Sequence, residues 1–407
     1  MRAEIISIGD ELMEGRVVDT NAPFAAALLR ELGAMVLRVT TVPDRIPDIV
    51  LALEESRERG TGWTLVTGGL GPTEDDVTRE AAARAFGRKL VRNSEALQDL
   101  EGWCAGRGRV MAPVDLCQAD IPEGADLLKN PRGTAPGFVL GIDDRLWAFF
   151  PGVPAEAEPM IETFLSGLSP AGKKRPRRAL SLFGKGESDV AQFFVPIRDR
   201  HRDLIIHYRA AFPTLEVIIE GDDEASLDAA FLEAAAGLEK WTYAREAASM
   251  PQTLAGLLWE RGATLSLAES CSGGRAAHLA TSVPGSSRYL LLAVVAYGNA
   301  SKERVLGVPS DLLKEHGAVS AEVAVAMAQG VRKLAGSDWA ASVTGIAGPE
   351  GGTPEKPVGL VHFAVAGPSA VIAHERHFNG FSREQIQDLA AHTCLMLLIR
   401  RLKEGQG

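Results

Sequence analysis

The sequence predicts an α/β protein: two three-layer α/β domains with mostly parallel sheets, joined by a small α+β domain. The first observation behind this prediction is that short apolar runs alternate with helical patterns over residues 2–168 and again from about residue 250. This order favours parallel strands with helices on both faces of the sheet. The second observation is that glycine-rich turns follow several of the apolar runs. Open α/β sheets bind ligands at the carboxyl ends of their strands, so these turns are candidate sites.

The first predicted domain covers residues 1–168. Strands are predicted at 3–8, 35–42 and 65–67, and helices at 21–32, 46–59 and 76–86. Each predicted strand is followed by a predicted helix, which is the order of repeated crossover connections in a parallel sheet.

Two boundaries divide the rest of the chain. Segment 166–172 is rich in Ser, Gly and Pro and reads as a linker, and the basic run 173–178 follows it. That run is either a nucleic-acid contact or a solvated linker, and the acids beyond it favour the linker. A small connector is predicted over 173–246, and a third domain over 250–407 closes on an amphipathic helix.

Composition narrows the classes of function. The chain has 407 residues and a net charge of −10, which argues against broad binding to nucleic acid or to anionic membranes. No apolar run is long enough to span a bilayer, and no secretory signal pattern opens the chain. The four cysteines lie apart, without a Cys-x-x-Cys pair. These features predict a cytoplasmic protein without a zinc site or disulfide framework.

The turn after the strand at 65–67 is a candidate nucleotide site. Gly68, Gly69 and Gly71 allow the backbone to approach a phosphate closely. Glu74 stands where the dinucleotide fingerprint needs its third glycine, and the Gly-Lys-Ser/Thr of a P-loop is missing. Further polar and glycine residues that we predict to bind the nucleotide are Asn21, Thr73, Asn130, Gly133 and Thr134. A tight turn between strands is the alternative interpretation of the loop that begins at Asn130.

Acidic residues near the same turn predict a divalent-metal site. The candidate ligands are Asp10, Glu11, Glu74, Asp75 and Asp76. Carboxylate oxygens suit hard cations, and a cation beside a diphosphate neutralises charge and activates water. The alternative is that these acids cap helices, since Asp and Glu are favourable at helix N-termini.

The third predicted domain contains the residue types of a serine hydrolase that needs no histidine. Ser286 and Ser287 precede Tyr297 and Lys302. A serine requires a neighbouring base, and a lysine serves as one when burial lowers its pKa. Two turns offer backbone donors, one for a phosphate and the other for an oxyanion, and the sequence leaves their assignment open. The candidates in and near these turns are Ser270, Ser272, Gly273, Gly274, Thr344 and Gly345.

These motifs, taken in order, resemble the CinA family over nearly the whole chain. In the second half they lie at 268–274, 284–287, 297–302, 344–349 and 356–359. In the first half they lie at 9–12, 19–21, 67–76, 130–138 and 151–154.

The resemblance implies a bifunctional enzyme of pyridine-nucleotide salvage. Its carboxy-terminal domain would hydrolyse the carboxamide of nicotinamide mononucleotide without a cofactor. Its molybdopterin-binding-like amino-terminal domain would hydrolyse ADP-ribose to AMP and ribose 5-phosphate. That reaction would use a divalent ion of the Mg, Mn or Co type, possibly with a monovalent cation. The resemblance also implies a KH-like connector and a homodimer.

The same resemblance assigns roles to residues of the amidohydrolase. It makes Ser287 the nucleophile and matches Tyr297 and Lys302 to the tyrosine and lysine of the family motif. Thr344 would belong to the catalytic group, and Arg383 would contact the phosphate or the carboxamide.

The sequence departs from the family pattern at several positions. Asp115 replaces a usual asparagine and adds charge near a phosphate ligand, and Ala157 replaces a common methionine. Ser272 replaces threonine and keeps the hydroxyl. Gly298 and Ser301 are small replacements that spare the reactive groups, and Gln387 stands where a second arginine is often found.

Two other functions compete with this interpretation. In one, the amino-terminal half only binds a pterin or nucleotide. In the other, the chain is a non-catalytic interaction protein of DNA uptake or repair, although the acidic composition offers no patch for DNA.

Overall fold

The chain folds into two compact units, Met1–Arg175 and Pro176–Gly407. The computed structural model describes residues 1–168 and 175–404. Residues 169–172 of the predicted linker and residues 173 and 174 of the basic run therefore lie outside the described residues. The boundary predicted between the second and third domains falls inside the second unit.

The first unit contains eight strands and six α-helices within its described residues. In chain order they are β1 (Arg2–Ile8), α1 (Asp10–Met13), α2 (Asn21–Glu31), β2 (Met35–Val42), α3 (Ile46–Arg59), β3 (Trp63–Thr67), α4 (Thr78–Ala85), β4 (Leu90–Arg92), α5 (Ser94–Gly106), β5 (Asp120–Pro122), β6 (Asp126–Leu128), β7 (Gly137–Ile142), β8 (Arg145–Phe150) and α6 (Pro154–Ser166).

A six-stranded sheet of order β2-β1-β3-β8-β7-β6 forms the middle layer of this unit. The first four strands in this order are parallel to one another, β7 pairs antiparallel to β8, and β6 pairs antiparallel to β7. One buried cluster packs α2 and α6 on one face through Leu29 and Ile161. A second cluster packs α3 and α4 on the other face through Leu53 and Ala81. Helices on both faces leave the carboxyl ends of the parallel strands as the ligand edge.

The second unit begins with a small antiparallel domain and continues into a second layered domain. Its elements are β9 (Arg177–Phe183), α7 (Glu187–Arg200), β10 (Ile205–Ala211), β11 (Thr214–Glu220), α8 (Glu224–Gly237), β12 (Thr242–Ala244), α9 (Met250–Glu260), β13 (Leu265–Glu269), α10 (Arg275–Thr281), β14 (Leu290–Val295), α11 (Asn299–Leu306), α12 (Ser310–His316), α13 (Ala321–Ala335), β15 (Trp339–Gly345), β16 (Leu360–Ala366), β17 (Val371–His377) and α14 (Arg383–Glu404).

The small domain has the element order β-α-β-β-α-β, with a sheet of order β10-β11-β9-β12. This is the element order of the split βαβ motif. Phe194 of α7 and Ala230 of α8 pack against Leu180 and Val217 of the sheet. The KH-like identity of this domain stays a prediction.

The layered domain of the second unit has a five-stranded sheet of order β14-β13-β15-β16-β17. Strands β14, β13 and β15 are parallel, and β16 and β17 are antiparallel. Helices α9, α10 and α14 contribute to one buried cluster, and α11, α12 and α13 to another. The predicted α/β class, with two three-layer α/β domains, is confirmed. No helix among the described residues combines the length and apolarity of a membrane span.

The small domain packs directly on this layered domain. Tyr243 of β12 belongs to the same buried cluster as Leu254 of α9, and its hydroxyl donates to the Ala248 carbonyl at 3.0 Å. Lys403 of α14 donates to the Tyr243 carbonyl at 2.8 Å. The β10–β11 hairpin places Phe212 with its ring centroid 5.9 Å from that of Phe381.

A buried carboxylate holds the turn between β13 and α10. Glu269, the last residue of β13, accepts hydrogen bonds from the N–H groups of Gly274, Ala276 and Ala277 at 2.8–3.1 Å. The Ser272 hydroxyl donates to it at 2.7 Å. Free N–H groups at a helix start need such acceptors, and a carboxylate near the helix N-terminus is favourable. Gly273 and Gly274 have φ of 64° and 97°, which suits glycine in this tight turn.

We expect Glu269→Gln to lower the free energy of unfolding by about 1–3 kcal/mol. The amide carries no charge, and its NH2 group faces backbone N–H groups that it cannot accept from. Urea denaturation followed by circular dichroism measures the change. Glu303→Gln, at an exposed position of α11, is the matched control and should shift stability by less than about 0.5 kcal/mol. Equal stability of the two variants would contradict this account of the turn.

Candidate functional site

The buried amine of Lys302 is the centre of the candidate site in the second unit. Lys302 lies on α11 and is 1% exposed. Its Nζ donates to Ser270 Oγ at 3.1 Å and to the carbonyl oxygens of Ala296 and Tyr297 at 2.9 and 3.3 Å. Burial lowers the pKa of this amine because the charged form loses its hydration, and Cys271 opposes the shift. The structure thus places the predicted base directly against a hydroxyl.

That hydroxyl belongs to Ser270, the first residue after β13. Ser270 is 7% exposed. The adjacent thiol of Cys271 is also buried, and burial raises its pKa to about 12. A thiol with this pKa stays protonated at neutral pH, whereas thiolate is the reactive form. Ser270 is the candidate nucleophile at this turn because its hydroxyl contacts the Lys302 amine at 3.1 Å.

Ser287 does not reach Lys302 within the chain. Ser287 is exposed and lies in a short 3-10 helix, Ser286–Arg288, before β14 begins. Lys302 follows the other end of β14, whose six residues span about 20 Å. The strand therefore separates the two side chains, and the contact implied by the sequence resemblance is replaced by the contact with Ser270.

Tyr297 and Arg383 meet beside the lysine. The Tyr297 side chain is 58% exposed, and its hydroxyl accepts a hydrogen bond from Arg383 Nη2 at 2.8 Å. Arg383 Nη1 donates to the Gly348 carbonyl at 2.6 Å. Since the Tyr297 carbonyl also accepts from Lys302, Tyr297 connects the lysine to the exposed guanidinium.

The glycine N–H groups predicted as donors at the first turn are bound inside the protein. Gly274 N–H and the Ser272 hydroxyl are bound by Glu269, and Gly273 N–H donates to the Ser270 carbonyl at 3.1 Å. These groups shape the turn and are not free to hold a phosphate. The sequence interpretation missed Glu269, although its position between a strand and a glycine turn was a usable indication.

The second predicted turn is also structural. Thr344 is buried, and its hydroxyl donates to the Ala318 carbonyl at 2.7 Å. Gly345 is the last residue of β15, where an added Cβ would lie 2.7 Å from the Leu360 carbonyl oxygen. Thr344 and Gly345 therefore close the pairing of β15 with β16, and a catalytic role for Thr344 is not supported by these contacts.

Gln387, which stands where a second arginine is often found in the family, links two helices. Its Nε2 donates to the Cys271 carbonyl at 3.1 Å, and its Oε1 accepts from Arg275 at 2.6 Å. Arg275 also forms an ion pair with Asp388 at 3.0 Å. These contacts fix the Ser270 turn against α14.

In the first unit, a cavity of about 530 Å³ opens at the carboxyl ends of β1 and β3. Gly68, Gly69 and Gly71 line it. An added Cβ at Gly68 would lie 2.1 Å from the Ile8 carbonyl oxygen, so only glycine fits there. Buried Arg79, which the sequence interpretation did not identify, donates to the Gly71 carbonyl at 2.8 Å and holds the loop.

The five predicted metal ligands do not form one preformed site. Among the described residues, no group of three or more His, Cys, Asp or Glu side chains is arranged to hold a metal ion. Asp76 accepts hydrogen bonds from the N–H groups of Gly71 and Thr73 at 2.7 and 2.8 Å, so it organises the loop. Exposed Glu74 does not line the cavity. Asp76 does not cap the helix that follows, since the N–H groups of Gly71 and Thr73 belong to the preceding loop.

Asp44 is an acid of this cavity that the sequence interpretation missed. Its pKa is raised by burial and by the negative charges of Glu11, Asp10 and Asp75, against a lowering hydrogen bond from the Asp10 N–H. Glu11, Asp44 and Asp75 all line the cavity. The raised pKa of Asp44 comes first from burial, and the neighbouring carboxylates add to it.

The remaining predicted residues of this half mostly organise loops. Asn130 accepts from the N–H groups of Arg132 and Gly133 at 2.9 and 2.8 Å, which is the turn-forming role. Thr134 lines the cavity and donates to Gln118 at 2.9 Å. Asn21 donates to the Gly152 carbonyl at 2.8 Å, and its buried Oδ1 has no partner among the described residues.

Asp115 does not add charge to the cavity. It is 1% exposed and accepts hydrogen bonds from Arg109 at 2.8 Å and from the Ala112 N–H at 2.9 Å. The Arg109 guanidinium neutralises the Asp115 carboxylate. The expectation that Asp115 adds negative charge near a phosphate ligand is therefore wrong.

Comparison with known proteins agrees with these two units. Residues 4–171 match the probable molybdopterin binding domain family, and residues 247–402 match the CinA C-terminal domain family. A CinA-like protein from Geobacter metallireducens is 44% identical over 99% of each chain. A CinA-like protein from Anaeromyxobacter dehalogenans is 40% identical over 98% of this chain and 99% of its own.

A solved structure covers part of the chain. The competence/damage inducible protein CihA from Agrobacterium tumefaciens is 37% identical, covers 38% of this chain and 93% of its own, and has a TM-score of 0.37. The full-length similarity to the curated relatives carries the assignment, and the chain belongs to the CinA family, with a molybdopterin-binding-like domain followed by a CinA C-terminal domain.

Proposed function

We propose that the CinA C-terminal domain hydrolyses the carboxamide of nicotinamide mononucleotide to nicotinate mononucleotide and ammonia. The observation that carries this proposal is the contact of buried Lys302 with the Ser270 hydroxyl. A serine activated by a neighbouring base is one of the recurrent nucleophiles of amide hydrolysis.

The hydrogen bonds of Lys302 explain how it accepts a proton. As an ammonium, Nζ donates one hydrogen bond each to Ser270, Ala296 and Tyr297. As a neutral amine it keeps two hydrogens for the carbonyl oxygens, and its lone pair then faces Ser270 Oγ. Burial favours this neutral form.

In the proposed reaction, Ser270 Oγ attacks the carboxamide carbon and its proton moves to Lys302. The carbon–nitrogen bond breaks, and Lys302 returns the proton to the leaving nitrogen, which departs as ammonia. Water then attacks the ester on Ser270 and gives one proton to Lys302. Lys302 passes this proton to the departing serine oxygen, and the product carboxylic acid releases its remaining proton to solvent and leaves as the carboxylate. Arg383 and Tyr297, at the exposed side of the lysine, are suited to contact the phosphate and the ring of the substrate.

We expect Ser270→Ala to lower the rate of ammonia release from nicotinamide mononucleotide by about 10³-fold or more, because the attacking oxygen is removed. Ser287→Ala is the matched control and should keep the rate within about twofold of the unmodified protein, because it lies far from the base. A coupled assay for ammonia measures both. Loss of activity in Ser287→Ala with activity kept in Ser270→Ala would overturn the assignment.

The pH dependence tests the role of Lys302. A base works only when deprotonated, so kcat should rise with pH and level off above a pKa lying below that of an exposed lysine, as burial dictates. Lys302→Gln should abolish this rise and cost about 10²–10⁴ in kcat. Lys314→Gln, at an exposed lysine of α12 paired with Asp311, should leave the profile unchanged. A rise that persists in Lys302→Gln would assign the base to another group.

We further propose that the amino-terminal domain binds ADP-ribose in its cavity and hydrolyses the diphosphate. The cavity position at the carboxyl ends of β1 and β3 and the molybdopterin-binding-like family support a nucleotide ligand. A divalent cation would supply charge neutralisation at the diphosphate. Since the acids do not form a preformed site, the metal requirement stays a prediction.

We expect a chelator to stop AMP release from ADP-ribose while deamidation in the same preparation continues, because the serine–lysine pair carries its own base. Asp44→Asn should also reduce AMP release, since it removes one of the crowded carboxylates. Glu80→Gln on the surface of α4, which removes the same charge from an exposed pair with Arg84, is the control. AMP release that survives the chelator would refute the metal requirement, and absence of AMP release in every condition would favour a binding module.

A further inference from the structure

A cavity in the second unit is lined by basic and aromatic side chains that neither proposed reaction uses. It measures about 260 Å³ and lies where the small domain packs on α14 and β17. The small domain contributes Phe183, Lys240 and Trp241, and the layered domain contributes Arg376, Thr393 and Arg400. No Asp or Glu among the described residues lines it.

The three cations of this cavity are not neutralised by neighbouring carboxylates. Within residues 1–168 and 175–404, Lys240, Arg376 and Arg400 form no ion pair. Two nearby acids have closer partners: Glu404 pairs with Arg401 at 2.5 Å, and Glu375 contacts His377 at 2.8 Å. Glu404 still raises the pKa of Arg400, but its effect is smaller than the opposing effect of Arg376. The cavity is therefore positively charged in a chain whose net charge is −10.

The electrostatics around the cavity reflect this excess of positive charge. The pKa of Arg400 is lowered by burial and then by the charge of Arg376. The pKa of His374, on the same strand as Arg376, is lowered by burial and then by Arg376, Arg400 and Arg401. Its buried Nε2 has no partner among the described residues. An anion in the cavity would be stabilised by Lys240, Arg376 and Arg400, which line it.

An aromatic ring stands within the same cluster of cations. The Lys185 and Lys240 ammonium groups lie 5.1 and 5.7 Å from the centre of the Trp241 ring. Phe183 forms a stacked contact with His392, with ring centroids 6.0 Å apart. A planar ring and guanidinium groups together are suited to a ligand with an aromatic base and a phosphate.

We propose that this cavity, defined by Trp241, Lys240, Arg376 and Arg400, binds a small phosphorylated ligand of the nucleoside monophosphate class. Its size suits one phosphate and part of a ring, and its walls come from two packed domains. A nucleic-acid strand would instead need an extended basic groove. The cavity contains no paired nucleophile and base, so the site binds its ligand without transforming it. The proposal does not depend on either proposed reaction.

The test uses the full chain labelled with 5-fluorotryptophan and observed by fluorine NMR. The chain has six tryptophans, and Trp241→Phe identifies the Trp241 resonance by its disappearance. The probes are AMP, inorganic phosphate and a hexauridylate. We expect AMP to shift the Trp241 resonance saturably, and inorganic phosphate to shift it with weaker affinity.

The charge variant is Lys240→Gln combined with Arg376→Gln, both at exposed positions. It should weaken AMP binding at Trp241 by about tenfold or more, because two charge-assisted contacts are lost. The matched control, Arg304→Gln combined with Lys333→Gln, removes the same net charge from exposed positions of α11 and α13 and should bind as the unmodified chain does. Unchanged resonances of the other five tryptophans show that each variant folds.

Three outcomes would overturn the proposal. The first is a Trp241 resonance that neither AMP nor inorganic phosphate moves. The second is equal AMP binding in the charge variant and its control. The third is a shift produced by the hexauridylate alone, which would identify the cavity as part of a surface for single-stranded RNA.

Discussion

The candidate site of the second unit is built around the buried amine of Lys302. Lys302 has three hydrogen-bond partners, and two of them, the carbonyls of Ala296 and Tyr297, come from the segment that leaves β14. The third is Ser270, which follows β13. Because β13 and β14 are adjacent parallel strands, their carboxyl ends bring the serine and the lysine to one edge of the sheet. The three acceptors hold the amine in place, and burial lowers its pKa because the charged form loses hydration.

Much of the fold was predictable, because alternating strand and helix patterns specify layered α/β domains locally. The partner of Lys302 was not. Residue order places Ser287 before β14 and Lys302 after it, but only the parallel pairing of β13 with β14 brings Ser270 to the lysine. The sequence identifies which residue types are available, whereas the contact requires knowing which strand end each one occupies.

The acids illustrate the same limit in another way. Glu11, Asp75 and Asp76 all line the predicted cavity, so their location was correctly inferred. Their roles differ because both carboxylate oxygens of Asp76 accept hydrogen bonds from loop N–H groups. Asp44, more than thirty residues earlier in the sequence, lies close to Glu11 and Asp75. Whether a carboxylate already accepts hydrogen bonds within the chain depends on the orientation of its side chain, which cannot be inferred from composition and spacing.

In both units an acidic side chain of the chain itself accepts hydrogen bonds from a glycine turn that follows a parallel strand. In each, a glycine turn follows a parallel strand and would expose N–H groups suited to an anion. In the first unit Asp76 accepts from Gly71 and Thr73, and in the second Glu269 accepts from the start of α10. An acid of the chain therefore occupies the position that an external phosphate takes in other glycine turns. The N–H groups that Asp76 and Glu269 accept from are therefore engaged within the chain.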